Sequence, residues 1–187
     1  MRIISGYFKG KKILEPKDKT TRPLKDLVKE SIFNILKHSN KFYININNSN
    51  VLDLFSGTGA FGIECLSRGA KHVTFVENYS QVLPILKKNI LNLKTKKNFK
   101  IIEQDISDDL IFKDLPSGHN IIFLDPPYKN KNLFKILENI NNKKVLDRNG
   151  IIIIHRHKKD RENFPKNFKI LEEKFYGISK IIFGILN

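Results

Sequence analysis

The stretch Val51-Leu52-Asp53-Leu54-Phe55-Ser56-Gly57-Thr58-Gly59-Ala60-Phe61-Gly62 limits the possible folds more than any other. Its first half is a short apolar run and reads as a buried strand. The glycines that follow permit a tight turn and let the backbone approach a ligand closely. The helix predicted after them presents free N–H groups at its start. Strand, glycine turn and helix in this order imply a parallel sheet, because parallel neighbours need a long crossover.

The downstream chain continues the pattern. His72 to Glu77 is a second strand ending in an acid. Residues 79–93 are a helix with Val82, Leu83, Leu86, Ile90 and Leu93 on one side, and Pro84 should delay or bend its start. Phe99 to Ile102 is a third strand, with Asp105 just beyond it. Asn120 to Leu124 is a fourth strand, Leu133 to Ile140 a helix, and Gly150 to Ile154 a fifth strand. Residues 168–176 and 179–186 read as an antiparallel pair turning at Tyr176-Gly177-Ile178-Ser179. This alternation predicts an α/β fold: a mostly parallel seven-stranded sheet, helices on both faces, and a C-terminal antiparallel hairpin.

Asp125-Pro126-Pro127-Tyr128 follows the fourth strand directly. Two prolines stop the strand, remove backbone donors and stiffen the loop. What remains is a set of acceptors, the Asp125 carboxylate and the Pro126 carbonyl, with the flat face of Tyr128 beside them. A base with an exocyclic NH2 suits such a site: two hydrogens need two acceptors, and the ring needs a stacking partner. Asp125, Pro126, Pro127 and Tyr128 are the candidate catalytic residues.

Gly57-x-Gly59-x-x-Gly62 also matches the dinucleotide fingerprint, with Glu77 twenty residues after Gly57, so NAD is a competing cofactor. Three features oppose it. Asp53 sits inside the first strand, where a cofactor bearing an ammonium would welcome it. Asp105 suits an adenine amino group better than a pyrophosphate. No hydride-transfer pair is visible downstream. A cofactor with adenosine at one end and an amino acid at the other fits Asp53, Phe55, Gly57, Gly59, Glu77 and Asp105 together, which is S-adenosylmethionine.

Ahead of this unit, residues 2–14 read as a small hairpin turning near Phe8 to Gly10. Thr21 and Pro23 signal a helix start. Leu24, Leu27, Val28, Ser31, Ile32, Ile35 and Leu36 form one stripe at helical spacing, with Lys25, Lys29 and Lys37 expected to point elsewhere. The asparagine-rich stretch from Asn40 to Asn50 is a connector, giving an N-terminal hairpin-and-helix appendage over 1–45 and a main domain over 46–187. The net charge of +15 is unevenly spread. Residues 1–50 carry 11 basic and 4 acidic groups, 51–128 carry 9 and 9, and 129–187 carry 14 and 6. A neutral middle between basic ends suggests a nucleic-acid surface. Lys9, Lys11, Lys12, Arg22 and Lys25 are its candidate contacts, the first three beside Tyr7 and Phe8.

One cysteine, Cys65, excludes an internal disulfide and a cysteine metal cluster. No apolar stretch is long enough to span a bilayer and the start has no signal-peptide core, so a cytoplasmic location is expected. His155 and His157 stand two apart on a strand, yet no third metal ligand is near. A surface or phosphate-contacting role is expected for them.

Over residues 2–184 the chain resembles the RsmD family of bacterial small-subunit ribosomal RNA methyltransferases. The residues that carry the resemblance are R-I-I-S-G-Y-F-K-G-K-K-I, T-R-P-L-K-D-L-V-K-E-S-I-F-N-I-L, V-L-D-L-F-S-G-T-G-A-F-G-I-E-C-L-S-R-G-A, F-L-D-P-P-Y and the late Y-G-I-S-K. Departures are Ser5 for a usual Gly, Leu24 for Thr, Asn78 for Asp, and His155-Arg156-His157 where a Glu is common. The resemblance implies a Rossmann-like class I methyltransferase fold and transfer of a methyl group from S-adenosylmethionine to the N2 amine of one guanine in 16S ribosomal RNA. It implies ribosomal RNA or a 30S assembly intermediate as partner, with a monomeric enzyme, no metal and no membrane. D-P-P-Y is shared with DNA adenine-N6 methyltransferases, which is one alternative. A nonenzymatic RNA-binding, ribosome-associated protein is the other.

Overall fold

The computed structural model describes residues 1–16, 24–94, 98–106, 111–127 and 129–187. Thr21, Arg22, Pro23 and Tyr128 lie outside them. Helix α1 (Asp26–His38) precedes the sheet, which is built from β1 (Asn50–Leu54), β2 (His72–Val76), β3 (Phe99–Ile102), β4 (His119–Leu124), β5 (Leu146–His157), β6 (Phe168–Tyr176) and β7 (Ser179–Leu186). Between strands run α2 (Ala60–Ser67), α3 (Leu83–Leu91), the short α4 (Ile111–Asp114) and α5 (Leu133–Asn142). The strand order is β3-β2-β1-β4-β5-β7-β6. The first five strands are parallel and β7 is antiparallel to both β5 and β6.

The strands are apolar runs because both sheet faces are covered. Val51, Val73, Phe75, Ile121, Phe123, Ile151, Ile153 and Phe183 face α1, α2 and α3. Their neighbours in sequence, Leu52, Leu54, Val76, Ile122, Leu124, Ile152 and Ile154, face α4 and α5. The period of two thus sorts each strand into two cores. α3 starts at Leu83, with Pro84 in its first turn, where a missing N–H removes no helical bond.

The N-terminal segment packs into the first of these cores through Ile3, Ile13, Val28, Ile32, Phe33 and Leu36. The expected hairpin is present as one antiparallel bridge, Arg2 with Lys12, around a turn that Gly10 N–H closes on Ile3 O at 2.9 Å. Gly6 has φ +84°, and a Cβ there would sit 1.8 Å from the Ser67 carbonyl oxygen. Only glycine lets the hairpin seat on the end of α2. The seat is polar and buried: Glu64 accepts the N–H groups of Ile4 (2.8 Å) and Ser5 (2.9 Å) and pairs with Arg68 (2.9 Å) and Lys29 (3.7 Å).

Two expectations for α1 are corrected. Lys29 does not point to solvent. It is fully buried, donates to Arg2 O at 2.7 Å and pairs with Glu64. Burial lowers its pKa, against the pull of Glu64 and Asp26. Leu27 leaves the stripe and is 66% exposed, while Phe33 takes a place in the core. Phe33 stacks on Phe61 of α2 at 5.2 Å, and Phe61 stacks on Phe123 of β4 at 4.2 Å. Leu24, just ahead of α1, is buried and lines the same cavity as Phe61 and Phe123.

Candidate active site

The chain order reverses between β1 and β4, and ligands of open α/β sheets bind where the carboxyl ends of such strands diverge. Leu54 of β1 pairs with Leu124 of β4, and Asp125 N–H donates to Leu54 O at 3.3 Å. The glycine turn after β1 and the D-P-P loop after β4 therefore leave the sheet side by side. Between them lies a cavity of about 560 Å³. Asp53, Phe55, Gly57, Glu77, Asp105, Asp125, Pro126 and Pro127 all line it, whereas Gly59, also expected at the cofactor, is not on its wall.

The turn is shaped by its acids. Glu77 accepts N–H bonds from Gly57 (2.7 Å), Asn78 (2.9 Å) and Tyr79 (2.8 Å), tying the end of β2 to the turn after β1. Gly59 caps α2 in the left-handed region at φ +82°, and a Cβ there would meet Leu86 Cδ1 at 2.6 Å. Phe55, on the cavity wall, is also left-handed at φ +59°. Such a conformation in a bulky residue marks local strain of the kind that gathers at functional sites. Asp105 is exposed and its Oδ2 accepts from Asn78 Nδ2 at 2.9 Å.

Asp53 is 1% exposed. Its Oδ2 accepts from Gly62 N–H at 2.9 Å, while Oδ1 is buried with no hydrogen-bond partner. Burial pushes its carboxyl well above the usual carboxylate range. The Gly62 bond opposes this, and the Asp125 and Glu77 carboxylates add to it. The described cavity wall carries four carboxylates and no Lys or Arg. That field repels a pyrophosphate and favours a cation. The orphan oxygen of Asp53 fits an ammonium, and Glu77 and Asp105 fit the hydroxyls and amino group of an adenosine.

On the opposite side, Asp125 Oδ1 lies 2.9 Å from His155 Nδ1, and His155 Nε2 lies 2.9 Å from Ser179 Oγ. His155 is 2% exposed, so its expected surface or phosphate role is corrected: it is a buried partner of the loop. Arg156 Nη1 donates to Pro126 O (3.4 Å) and Pro127 O (3.1 Å), and Nη2 to Asn130 O (3.2 Å). Glu162 and Asp160 balance its charge. Sequence reasoning missed His155, Arg156 and Ser179. The one signal was the place of the first two at the end of an apolar strand next to the D-P-P strand.

Lys9, Lys12 and Lys25 are exposed. Lys11 is exposed too, but its Nζ reaches Asn92 O (3.3 Å) and Leu93 O (3.4 Å) at the end of α3. Arg22 and Tyr128, predicted to contact RNA and base, fall outside the described residues. Cys65 is fully buried and burial pushes its thiol pKa well up, so it is a packing residue. Among the described residues, no group of three or more potential ligands could hold a metal, and no helix is long and apolar enough to cross a membrane.

Sheet order, glycine turn and the D-P-P loop at the switch point define a Rossmann-like class I methyltransferase fold. Similarity to known proteins agrees. A family model described as "conserved hypothetical protein 95" matches residues 1–185. The ribosomal RNA small subunit methyltransferase D of Haemophilus influenzae is 34% identical over 95% of this chain and 90% of its own. That of Escherichia coli is 31% identical over 95% of this chain and 85% of its own. A solved structure from Escherichia coli, yhhF, provisionally named a methyltransferase, superposes with a TM-score of 0.82 at 27% identity, covering 98% of this chain and 96% of the other. The chain belongs to this family, the RsmD family that its motifs resemble.

Proposed function

We propose that this protein methylates the exocyclic N2 amine of a guanine in small-subunit ribosomal RNA, using S-adenosylmethionine. The observation that carries the reading is a cavity walled on one side by Asp53, Glu77 and the glycine turn and on the other by Asp125 and Pro126. A cation site and an amine site share one space. The names of the relatives supply the RNA: two are small-subunit ribosomal RNA methyltransferases.

When bound, S-adenosylmethionine supplies a methyl carbon on a sulfonium, open to in-line displacement by an amine. Asp53 Oδ1 would hold the ammonium end, and the carboxylates of the cavity would stabilise the total positive charge. Glu77 holds the turn backbone in place through three N–H bonds and would offer its one remaining acceptor site, on Oε2, to a ribose hydroxyl. Asp125 and the Pro126 carbonyl accept the two N–H bonds of the base and aim the nitrogen. The lone pair of that nitrogen is spread into the ring, so aim matters: positioning lowers such barriers by roughly 7–11 kcal/mol. Charge that builds on nitrogen meets Asp125, which takes the released proton directly or through water. The base must leave its stack or lie in a loop to enter.

The test is transfer of a labelled methyl group to naked 16S ribosomal RNA, to 30S particles and to DNA, with the product nucleoside identified. N2-methylguanosine is expected in RNA. Asp125→Ala should abolish turnover while S-adenosylhomocysteine still binds. Labelled DNA adenine, or full activity of Asp125→Ala, would overturn the assignment.

A further inference from the structure

Near the end of β5 stand His155 and Arg156, both buried and neither on the cavity wall. They therefore act on the D-P-P loop from outside the site. Asp125 Oδ1, His155 Nδ1, His155 Nε2 and Ser179 Oγ form a continuous chain with both links at 2.9 Å. The same atoms form the triad of serine hydrolases. Here Ser179 is 4% exposed and off the cavity wall, so no substrate reaches its hydroxyl. The chain acts in the other direction, toward Asp125.

We propose that His155 is the positioning residue of Asp125, held in the required tautomer by Ser179. Two prolines fix the loop backbone but do not themselves set the side-chain torsion of Asp125. An ionised carboxylate accepts only, so the 2.9 Å contact needs a proton on Nδ1. A Ser179 hydroxyl donating to Nε2 keeps that proton where it is needed. Arg156 completes the clamp by binding the carbonyls of residues 126, 127 and 130. One residue of β5 thus sets the side chain of the loop and the next sets its backbone. The inference rests on Asp125 being the amine acceptor.

The experiment compares wild type, His155→Phe, His155→Asn and Ser179→Ala in methyl transfer to 30S particles and 16S ribosomal RNA. Binding of S-adenosylhomocysteine serves as the check on folding. His155→Phe fills the space without a donor, and kcat should fall about a hundredfold, the scale of a 1 Å misplacement. KM for RNA and cofactor binding should stay within about twofold. His155→Asn, whose amide can donate from near the Nδ1 position, should recover most of kcat. A 15N spectrum of the His155 ring should show Nδ1 protonated and Nε2 bare, and Asp125→Ala should erase that preference. Unchanged kcat in His155→Phe, no recovery in His155→Asn, or a protonated Nε2 would each overturn the proposal. A wild type inactive on every nucleic acid, with the ring still Nδ1-protonated, would overturn the functional reading instead, and the positioning role with it.

Discussion

Asp53 is a carboxylate in conflict. It is buried beside two other acids, its proton is held above the usual 3.8, and one of its oxygens has no partner. The folded chain binds that proton more tightly than the unfolded chain does. Stability from this group is therefore full below about 3.8 and is lost as pH rises through the raised value. A bound ammonium reverses the preference. We predict that S-adenosylhomocysteine raises the melting temperature of wild type by an amount that grows with pH across this window. Asp53→Asn should show a small, pH-independent shift, and its free form should gain on wild type as pH rises. Scanning calorimetry at several pH values tests both. The acid itself was legible in the sequence, because a charge inside an apolar run needs a reason. His155 was not: its partners come from residues 125 and 179, and no local pattern joins them.

At the scale of elements, the strands were readable because a sheet covered on both faces needs apolar residues at every position, as in Ile151 to Ile154. α1 was misread because Lys29 looks like solvent-facing charge until Glu64 of α2 is brought beneath it. The four-residue α4 was missed altogether, being too short to show a period. Two predictions belong here. Gly62 packs α2 on β2, and a Cβ there would lie 2.3 Å from Phe75 Cε1 and 2.8 Å from Val73 Cγ1. Gly62→Ala should cost roughly 1–3 kcal/mol in urea unfolding and weaken cofactor binding, since it moves the N–H that holds Asp53. Glu64→Ala removes the buried carboxylate partner of Lys29, leaving it only the half-exposed Asp26 and the Arg2 carbonyl, and frees two hairpin N–H groups. The loss should be about 3–5 kcal/mol, with faster tryptic cleavage in residues 9–12.

For the whole molecule, charge is the long-range signal: a neutral middle of the sequence between basic flanks. Lys9, Lys12 and Lys25 are exposed, whereas Lys11 also serves the end of α3. Replacing Lys9, Lys12 and Lys25 by Ala should weaken binding to 16S ribosomal RNA at low salt. It should also reduce the log–log salt slope by about 0.7–0.9 for each phosphate that the variant no longer neutralises. Cofactor affinity should not change. Filter binding across a salt series measures both.

Glu64, Lys29 and Ser67 weld the amino-terminal arm onto the catalytic body. A tool with its handle fused to its blade cannot wrap around its workpiece. If a nucleobase enters the cavity as proposed, the bending that brings it there falls to the nucleic acid, and pliant targets are served ahead of stiff ones.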